Sequence, residues 1–411
     1  MTASRGASLR SLGFAAMIIV LPAITWYVSI AMLHYDGALV LPDATFLTHV
    51  AAPTTVSVAL YLGWFGLQVI LMKLAPGSWV QGVPTPSGGR LTYKLNGLAA
   101  LGISVGVAVL LVGSGVVPAT VVYDELGPLV TTTNLLVLVL STYIFALGRA
   151  QATMAEKTRG WLEAFVVGAA LNPRNGTFDW KFFCESRPGM ILWLLINGSF
   201  AAAQYAEFGA VSNAMGLVCL FQALYVIDYF IHEGAILSTW DIRHEPFGFM
   251  LCWGSLVWVP FMFSVQALYL VMHPVVLPVW ALCGLIALNM AGYYIFRTAN
   301  LQKHRFRSNA LRPIWGRRPE FIQTARGSKL LVSGWWGIAR HANYLGDLMM
   351  GLAWCLTCGG ARVLTFFYFT YFVILLVHRE RRDNDHCAAK YGDDWARYVS
   401  RVRWRILPGV Y

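Results

Sequence analysis

The residues best equipped for chemistry stand where an apolar chain has least reason to keep ionisable groups. Within the hydrophobic stretch 213–236 lie Tyr225, Asp228, Tyr229, His232 and Glu233. Spacings of three and four put Tyr225, Asp228 or Tyr229, and His232 along one face of a helix. Ionisable groups inside a membrane span are costly and mark function by default, although the same stripe would also serve as a hydrogen-bond network between helices. A second cluster closes the last apolar run, where Arg379, Asp383 and Cys387 follow at intervals of four. A third, Lys303 with Arg307, follows the eighth run, and with Arg340 it offers charge-assisted hydrogen bonds to phosphate. Between these clusters lies KLLVSGWWGIARHANYLGD, 329–347, with adjacent tryptophans and an Arg340-His341 pair. Aromatics and fixed cations at the edge of an apolar segment suit a large planar anionic ligand, and equally a membrane-interface belt.

The elements that would carry these groups are helices in a bilayer. Hydrophobic residues make up 57% of the chain and charged residues only 12%, a balance unlike that of soluble domains. Apolar windows long enough to span number about ten, near 11–33, 55–74, 96–117, 132–148, 189–205, 213–236, 247–271, 278–296, 344–358 and 363–379. The fold expected is therefore an all-α polytopic membrane protein. It would form one domain over 1–411, with 1–210 holding the first five helices and 211–411 the last five and the candidate sites.

Cations follow the even-numbered connectors of this count. Lys73, Arg90 and Lys94, the group from Arg149 to Arg187, Arg243, and the block 297–340 fall in alternate connectors, while Asp36, Asp43, Asp124, Glu125 and Glu207 fall in the others. By the positive-inside rule both termini are expected in the cytoplasm. The net charge of +11 then reads as orientation signal, and no nucleic-acid partner is expected. Seven cysteines are scattered through apolar segments, which implies no disulfide framework. Cys355 and Cys358 have a metal-like spacing without a second pair and read as core, and His378, His386 and Cys387 lack a closed four-ligand set, so no metal is expected. No Gly-rich phosphate loop occurs, and an all-helical chain offers no strand to hold one. Gly102 and Gly106 form a GxxxG pair that predicts tight helix packing. The first apolar run is long and lacks a small-residue cleavage site, so it reads as a retained helix.

SGWWG followed by RHxNYxGD resembles the signature of the sterol reductase family, which contains the Δ14-, Δ7- and Δ24(28)-sterol reductases and the lamin B receptor. Three more blocks fit it: RLTYKLNG at 90–97, FDWKFFCE at 178–185, and HRERRD at 378–383 with His386-Cys387 and KYG at 390–392. The resemblance runs from about Leu60 to Tyr411 and implies NADPH as cofactor, a sterol as substrate and membrane lipid as surroundings. It implies a cofactor pocket drawn from Lys303, Arg307, Trp336, Arg340, Tyr344, Asp347, Tyr391 and Tyr398, with Arg379 and Asp383 beside it and Trp336 stacked on the cofactor. A sterol double bond is electron-rich, so a proton must precede hydride. Asp383 poised by Arg379, Tyr225, and Glu233 near them are the candidate proton-donating network, and the sequence leaves open which one delivers.

YKLNG, HExAxLSTWDI, WVP and HRExRD look most like Δ14 reductases, whereas Ile314-Trp315-Gly316-Arg317 and Asn213-Ala214-Met215 look more like Δ7 reductases. Gly234, Ser255 and Ala342 stand where the family commonly has Glu, Asp and Pro, and WLEAF at 161–165 replaces a Tyr- and Asp-rich run. The expected activity is NADPH-dependent reduction of the Δ14 bond in sterol biosynthesis. Reduction of a Δ7 bond, a non-catalytic sterol-binding scaffold, and an isoprenylcysteine-type methyltransferase are the alternatives. The expected location is the inner membrane in a bacterium, or the endoplasmic reticulum or inner nuclear membrane in a eukaryote.

Overall fold

The computed structural model describes residues 2–85, 88–154, 156–360 and 362–411. These divide into two units, Met1–Pro274 and Val275–Tyr411, a boundary later than the 210/211 division expected between the fifth and sixth helices.

The first unit holds α1 (Thr2–His34), α2 (Thr55–Leu74), α3 (Gly97–Gly113), α4 (Leu126–Gln151), α5 (Pro188–Phe208), α6 (Asn213–Ile231) and α7 (Phe249–Met272). Such runs are helical in lipid because every backbone donor and acceptor must be satisfied within the segment. The middle of α7, Gly254–Met262, runs as π-helix around Pro260, whose missing N–H and ring break the ordinary ladder. Polar side chains knit the helices together. Gln222 of α6 accepts from Trp193 Nε1 and Asn197 Nδ2 of α5 at 2.9 and 2.6 Å. Trp253 Nε1 donates to Asn134 of α4 at 2.8 Å. Ser57 and Thr132 share a hydrogen bond of 2.7 Å.

The second unit holds α8 (Val279–Ser308), α9 (Ala342–Leu356), α10 (Phe367–Tyr391) and α11 (Asp393–Arg401). In it α8 and α9 meet backbone to backbone. A Cβ on Gly346 would stand 2.5 Å from Gly292 O, and one on Gly292 would stand 2.7 Å from Gly346 O, so only glycine permits this approach. Gly102 and Gly106, the pair the sequence marked for packing, meet nothing within 4 Å. That expectation is corrected: the motif needs a facing helix, and α3 presents these positions to open space.

Helices occupy each of the ten expected windows. Among the described residues seven are long and apolar enough to cross a membrane, by length and composition, and the chain is an integral membrane protein. Large apolar side chains such as Ile19, Leu110, Val139, Trp280 and Ile374 are exposed, as lipid contact requires. The absence of strands was expected and is corrected: three short antiparallel hairpins pair β1 (Ser78–Pro84) with β2 (Arg90–Leu95), β3 (Arg174–Asn175) with β4 (Phe178–Asp179), and β5 (Phe321–Gln323) with β6 (Lys329–Leu331). They lie in connectors, where periodicity over two to seven residues gives little signal.

Candidate active site

Two of the blocks that carry the family resemblance prove to be one scaffold in the first unit. Asp179 caps the helix Trp180–Ser186 by accepting from Phe182 N at 2.9 Å, and it pairs with Arg174 Nε at 3.0 Å. Arg174 reaches on to Thr92 O of β2 at 2.7 Å, with its guanidinium over the Tyr93 ring. Lys181 is completely buried, yet its ammonium donates to Asp241 O, Ile242 O and Glu245 O at 2.8, 2.9 and 2.8 Å. All three protons are used, which is how a buried lysine is tolerated.

Glu233 belongs to the same scaffold. The helix α6 ends at Ile231, short of the expected 236, and Glu233 opens a 3₁₀ turn. One carboxylate oxygen accepts from Arg187 Nη2 at 2.6 Å and the other from Gly97 N at 2.8 Å. Arg187 is itself fully buried and donates to Asn96 Oδ1 at 2.7 Å. Burial pushes the Glu233 carboxyl above the usual carboxylate range, against the pull of Arg187. The expected stripe on α6 is divided among separate partners. The Tyr225 ring lies 6.1 Å from Trp193, Tyr229 donates to Glu185 O at 3.2 Å, and Asp228 pairs with His232 at 3.3 Å, whose side chain is 43% exposed.

The second unit collects the cations and aromatics. Lys303 and Arg307, expected in a connector, lie on the last turns of α8, because no Pro or Gly interrupts the run from Ile295 to Ser308 and its Gln, Lys and Arg residues favour helix. The Lys303 ammonium sits 3.9 Å above the Trp336 ring, with Asp383, Arg307 and Cys387 in electrostatic reach. Trp336 is buried against Phe306, Ile314 and Leu331, and its indole donates to Ala299 O at 2.8 Å. One of its faces is thus already covered by a cation. Its neighbour Gly334 has φ +63°, and a Cβ there would stand 2.4 Å from Gln302 Oε1, the atom that accepts from Trp335 N at 2.9 Å.

Arg340 and His341 are held from behind by the carboxyl-terminal segment, since their amides donate to Trp404 O and Arg405 O at 2.9 and 2.8 Å. Arg340, expected to face phosphate, turns its guanidinium toward Glu380 at 3.8 Å. That carboxylate also accepts from Arg405 Nη1 at 3.0 Å and Tyr411 OH at 3.2 Å. His341 stacks on Tyr344 with ring centres 4.7 Å apart, and its Nε2 lies 3.5 Å from Asp383 Oδ2. Burial, then the cations Lys303 and Arg340, push the imidazole down to about 3. A single carboxylate at that distance does not offset them, so the ring is neutral at pH 7.

The helix α10 runs on to Tyr391 and stops at Gly392, φ +54°, so Arg379, Asp383 and Tyr391 share one continuous element. Arg379 and Arg297 are the cations in electrostatic reach of Asp347. Tyr398 is buried on α11, stacked 4.8 Å from Trp395, in a cluster that Tyr391 and Cys387 pack against. Burial raises its hydroxyl above the usual tyrosine range. The unit thus gathers Lys303, Trp336, Asp383, Cys387, Tyr391 and Tyr398, with Arg340 and Tyr344 joined through His341. Tyr225 and Glu233 lie in the first unit. Sequence reasoning missed His341 as the partner of Asp383, and Glu380, Arg405 and Tyr411 as the group behind Arg340. Glu380 stood inside the quoted HRERRD block, but only the fold shows it facing two arginines.

A helical integral membrane protein with a cation, aromatic and carboxylate cluster is the class these features define. The model of the ergosterol biosynthesis ERG4/ERG24 family matches residues 12–411, and the chain belongs to that family. It is 48% identical over 400 residues to a Delta(14)-sterol reductase of Methylotuvimicrobium alcaliphilum, covering 96% of this chain and 94% of the relative. It is 43% identical over 363 residues to the Delta(14)-sterol reductase erg24 of Schizosaccharomyces pombe, covering 86% and 85%. Against the Delta(14)-sterol reductase TM7SF2 of Mus musculus the identity is 41% over 409 residues, covering 97% and 96%.

Proposed function

We propose that this protein reduces the carbon 14 to carbon 15 double bond of a sterol with NADPH, as a step of sterol biosynthesis. The observation that carries the reading is near full-length similarity to relatives named Delta(14)-sterol reductase in a bacterium, a yeast and a mouse. Features of the second unit fit a dinucleotide. Asn343 Oδ1, Asp347 Oδ1 and Arg340 Nε are buried and without a hydrogen-bond partner among the described residues, and such groups call for a polar ligand.

NADPH, when bound, supplies the hydride. Lys303 and Arg307 would neutralise its phosphates, and Lys303 would leave Trp336 for that contact, freeing the indole face for stacking. Tyr344, Tyr391 and Tyr398 would line the pocket. Arg340, through Glu380, would set the local field behind His341, while Arg379 and Asp347 would define the wall from α10 and α9. The proton must come from an acid beside the sterol double bond. His341 is neutral and lies beside Asp383, so it can hold the Asp383 carboxyl in place without competing as the acid. Asp383 is the first choice for donor, with Tyr225 as the second and Glu233 as a supporting charge.

Purified protein with NADPH and a panel of Δ14-, Δ7- and Δ24-unsaturated sterols, read by mass spectrometry, tests the reading. A two-hydrogen gain on the Δ14 substrate is expected. A gain confined to a Δ7 sterol would overturn the choice of bond, and no gain on any sterol would overturn the activity. Lys303→Ala and Arg307→Ala should weaken NADPH more than NADH, and equal losses would remove these residues from the phosphate site. Asp383→Asn should abolish turnover while cofactor binding persists.

A further inference from the structure

The first unit contains a cavity of about 950 Å³ that the reading above does not use. Its walls are Trp64 and Leu67 of α2, Ala108 and Val112 of α3, and Leu192 and Leu195 of α5, joined by Val117 and Val122 of the connector after α3. A volume in this range buries one small lipid or drug-sized molecule. We propose that this cavity is a site for a non-reacting sterol.

Three observations select that occupant. Among the described residues no Lys, Arg, His, Asp or Glu lines the cavity, so a phospholipid headgroup would find no counter-charge there. The polar groups in the lining are few and uncharged: Trp64, whose indole donates to Pro188 O at 3.3 Å, Ser104, which accepts from Gln68 Nε2 at 2.8 Å, Ser199, and Tyr61, whose buried hydroxyl has no partner among the described residues. This matches a hydrocarbon carrying a single hydroxyl. Gly63 and Gly198 both line the cavity, and a Cβ on either would meet nothing within 4 Å. Walls without side chains accept a flat rigid ring system, which loses less conformational entropy on binding than an acyl chain does.

The occupant would not react at Tyr225. Leu192, Leu195 and Ser199 face the cavity on one side of α5, whereas Trp193 and Asn197 face the other, where they bond Gln222 and where Trp193 meets Tyr225. Residues one or two apart on a helix point 100° to 200° away from one another, so α5 itself separates the two. The choice of a sterol shares with the proposed activity the premise that sterols reach this protein, and the test is therefore run on binding alone, without NADPH.

The full chain in phosphatidylcholine nanodiscs is labelled with a diazirine-bearing cholesterol analogue, and the labelled peptides are mapped by mass spectrometry. Saturable labelling within 60–67, 104–112 or 192–199, displaced by unlabelled cholesterol, is expected. The Gly63→Leu, Gly198→Leu protein should lose labelling there by about tenfold through overpacking, while Gly63→Ala and Gly198→Ala retain it. Labelling that does not saturate, or that cholesterol does not displace, would show annular lipid only and overturn the proposal. So would unchanged labelling in the folded double leucine variant. If that variant fails to fold, saturation and displacement in the native chain still decide. Loss of reductase activity with these results intact would count against the proposed activity and leave the sterol site standing.

Discussion

Replacing Glu380 by glutamine keeps the side chain's shape and removes its charge. The carboxylate is completely buried, accepts from Arg405 and Tyr411, and lies 3.8 Å from Arg340. The Arg340 side chain is 4% exposed and cannot exchange its partner for water, whereas that of Arg405 is 35% exposed and can. Glu380→Gln therefore strands one buried guanidinium, at a cost of about 3–5 kcal/mol, and the Arg405 contact adds no more than about 1 kcal/mol. Unfolding of the purified protein in mixed micelles would read this loss. The partner variant Arg340→Met and the double variant Arg340→Met, Glu380→Leu complete a cycle. Because well-packed apolar groups often replace a buried pair without loss, the double variant should be more stable than either single one. Additive losses, or a Glu380→Gln loss below about 0.5 kcal/mol, would refute the view that Glu380 holds Arg340 in place.

Three further outcomes follow from the same geometry. His341 is neutral in the folded chain down to about pH 3, while an unfolded histidine takes its proton near 6.5. The unfolded state then binds more protons between those values, so stability should be full above about 6.5 and fall as pH drops toward 3; His341→Gln should flatten this part of the pH–stability curve, and an unchanged slope would assign it to other groups. Gly346→Leu must displace Gly292 O and Phe296 N, both 2.5 Å from the new Cβ, and should abolish a monodisperse product on size exclusion, while Gly102→Ala and Gly106→Ala should be tolerated with less than about 1 kcal/mol of change. Lys181→Met leaves Asp241 O, Ile242 O and Glu245 O without their donor and should cost at least about 3 kcal/mol in the unfolding assay; a smaller change would mean that water replaces the ammonium.

Much of this protein is legible in its sequence. The apolar windows located the helices because the rule that a buried backbone must bond within its own segment is local. The RHxNYxGD, FDWKFFCE and HRERRD blocks named the family, and the four-residue spacings of Lys303 with Arg307 and Arg379 with Asp383 are properties of one helix. The extension of α8 to Ser308 and of α10 to Tyr391 was underestimated because hydropathy stops where charge begins, although helix propensity does not.

What only the tertiary structure decided was partnership between segments far apart in sequence. Glu233 faces Arg187 and Gly97, and Arg340 faces Glu380, because packing brings charges of opposite sign out of water together and burial makes each unpaired one too costly, while the neutral His341 ring is set beside Asp383. The two glycine motifs make the same point. Gly102 and Gly106 have the packing spacing, yet a Cβ on either would meet nothing within 4 Å among the described residues, while Gly292 and Gly346 have no shared motif and touch. A sequence states which residues are small or charged; the surface each one meets exists only once the helices have packed.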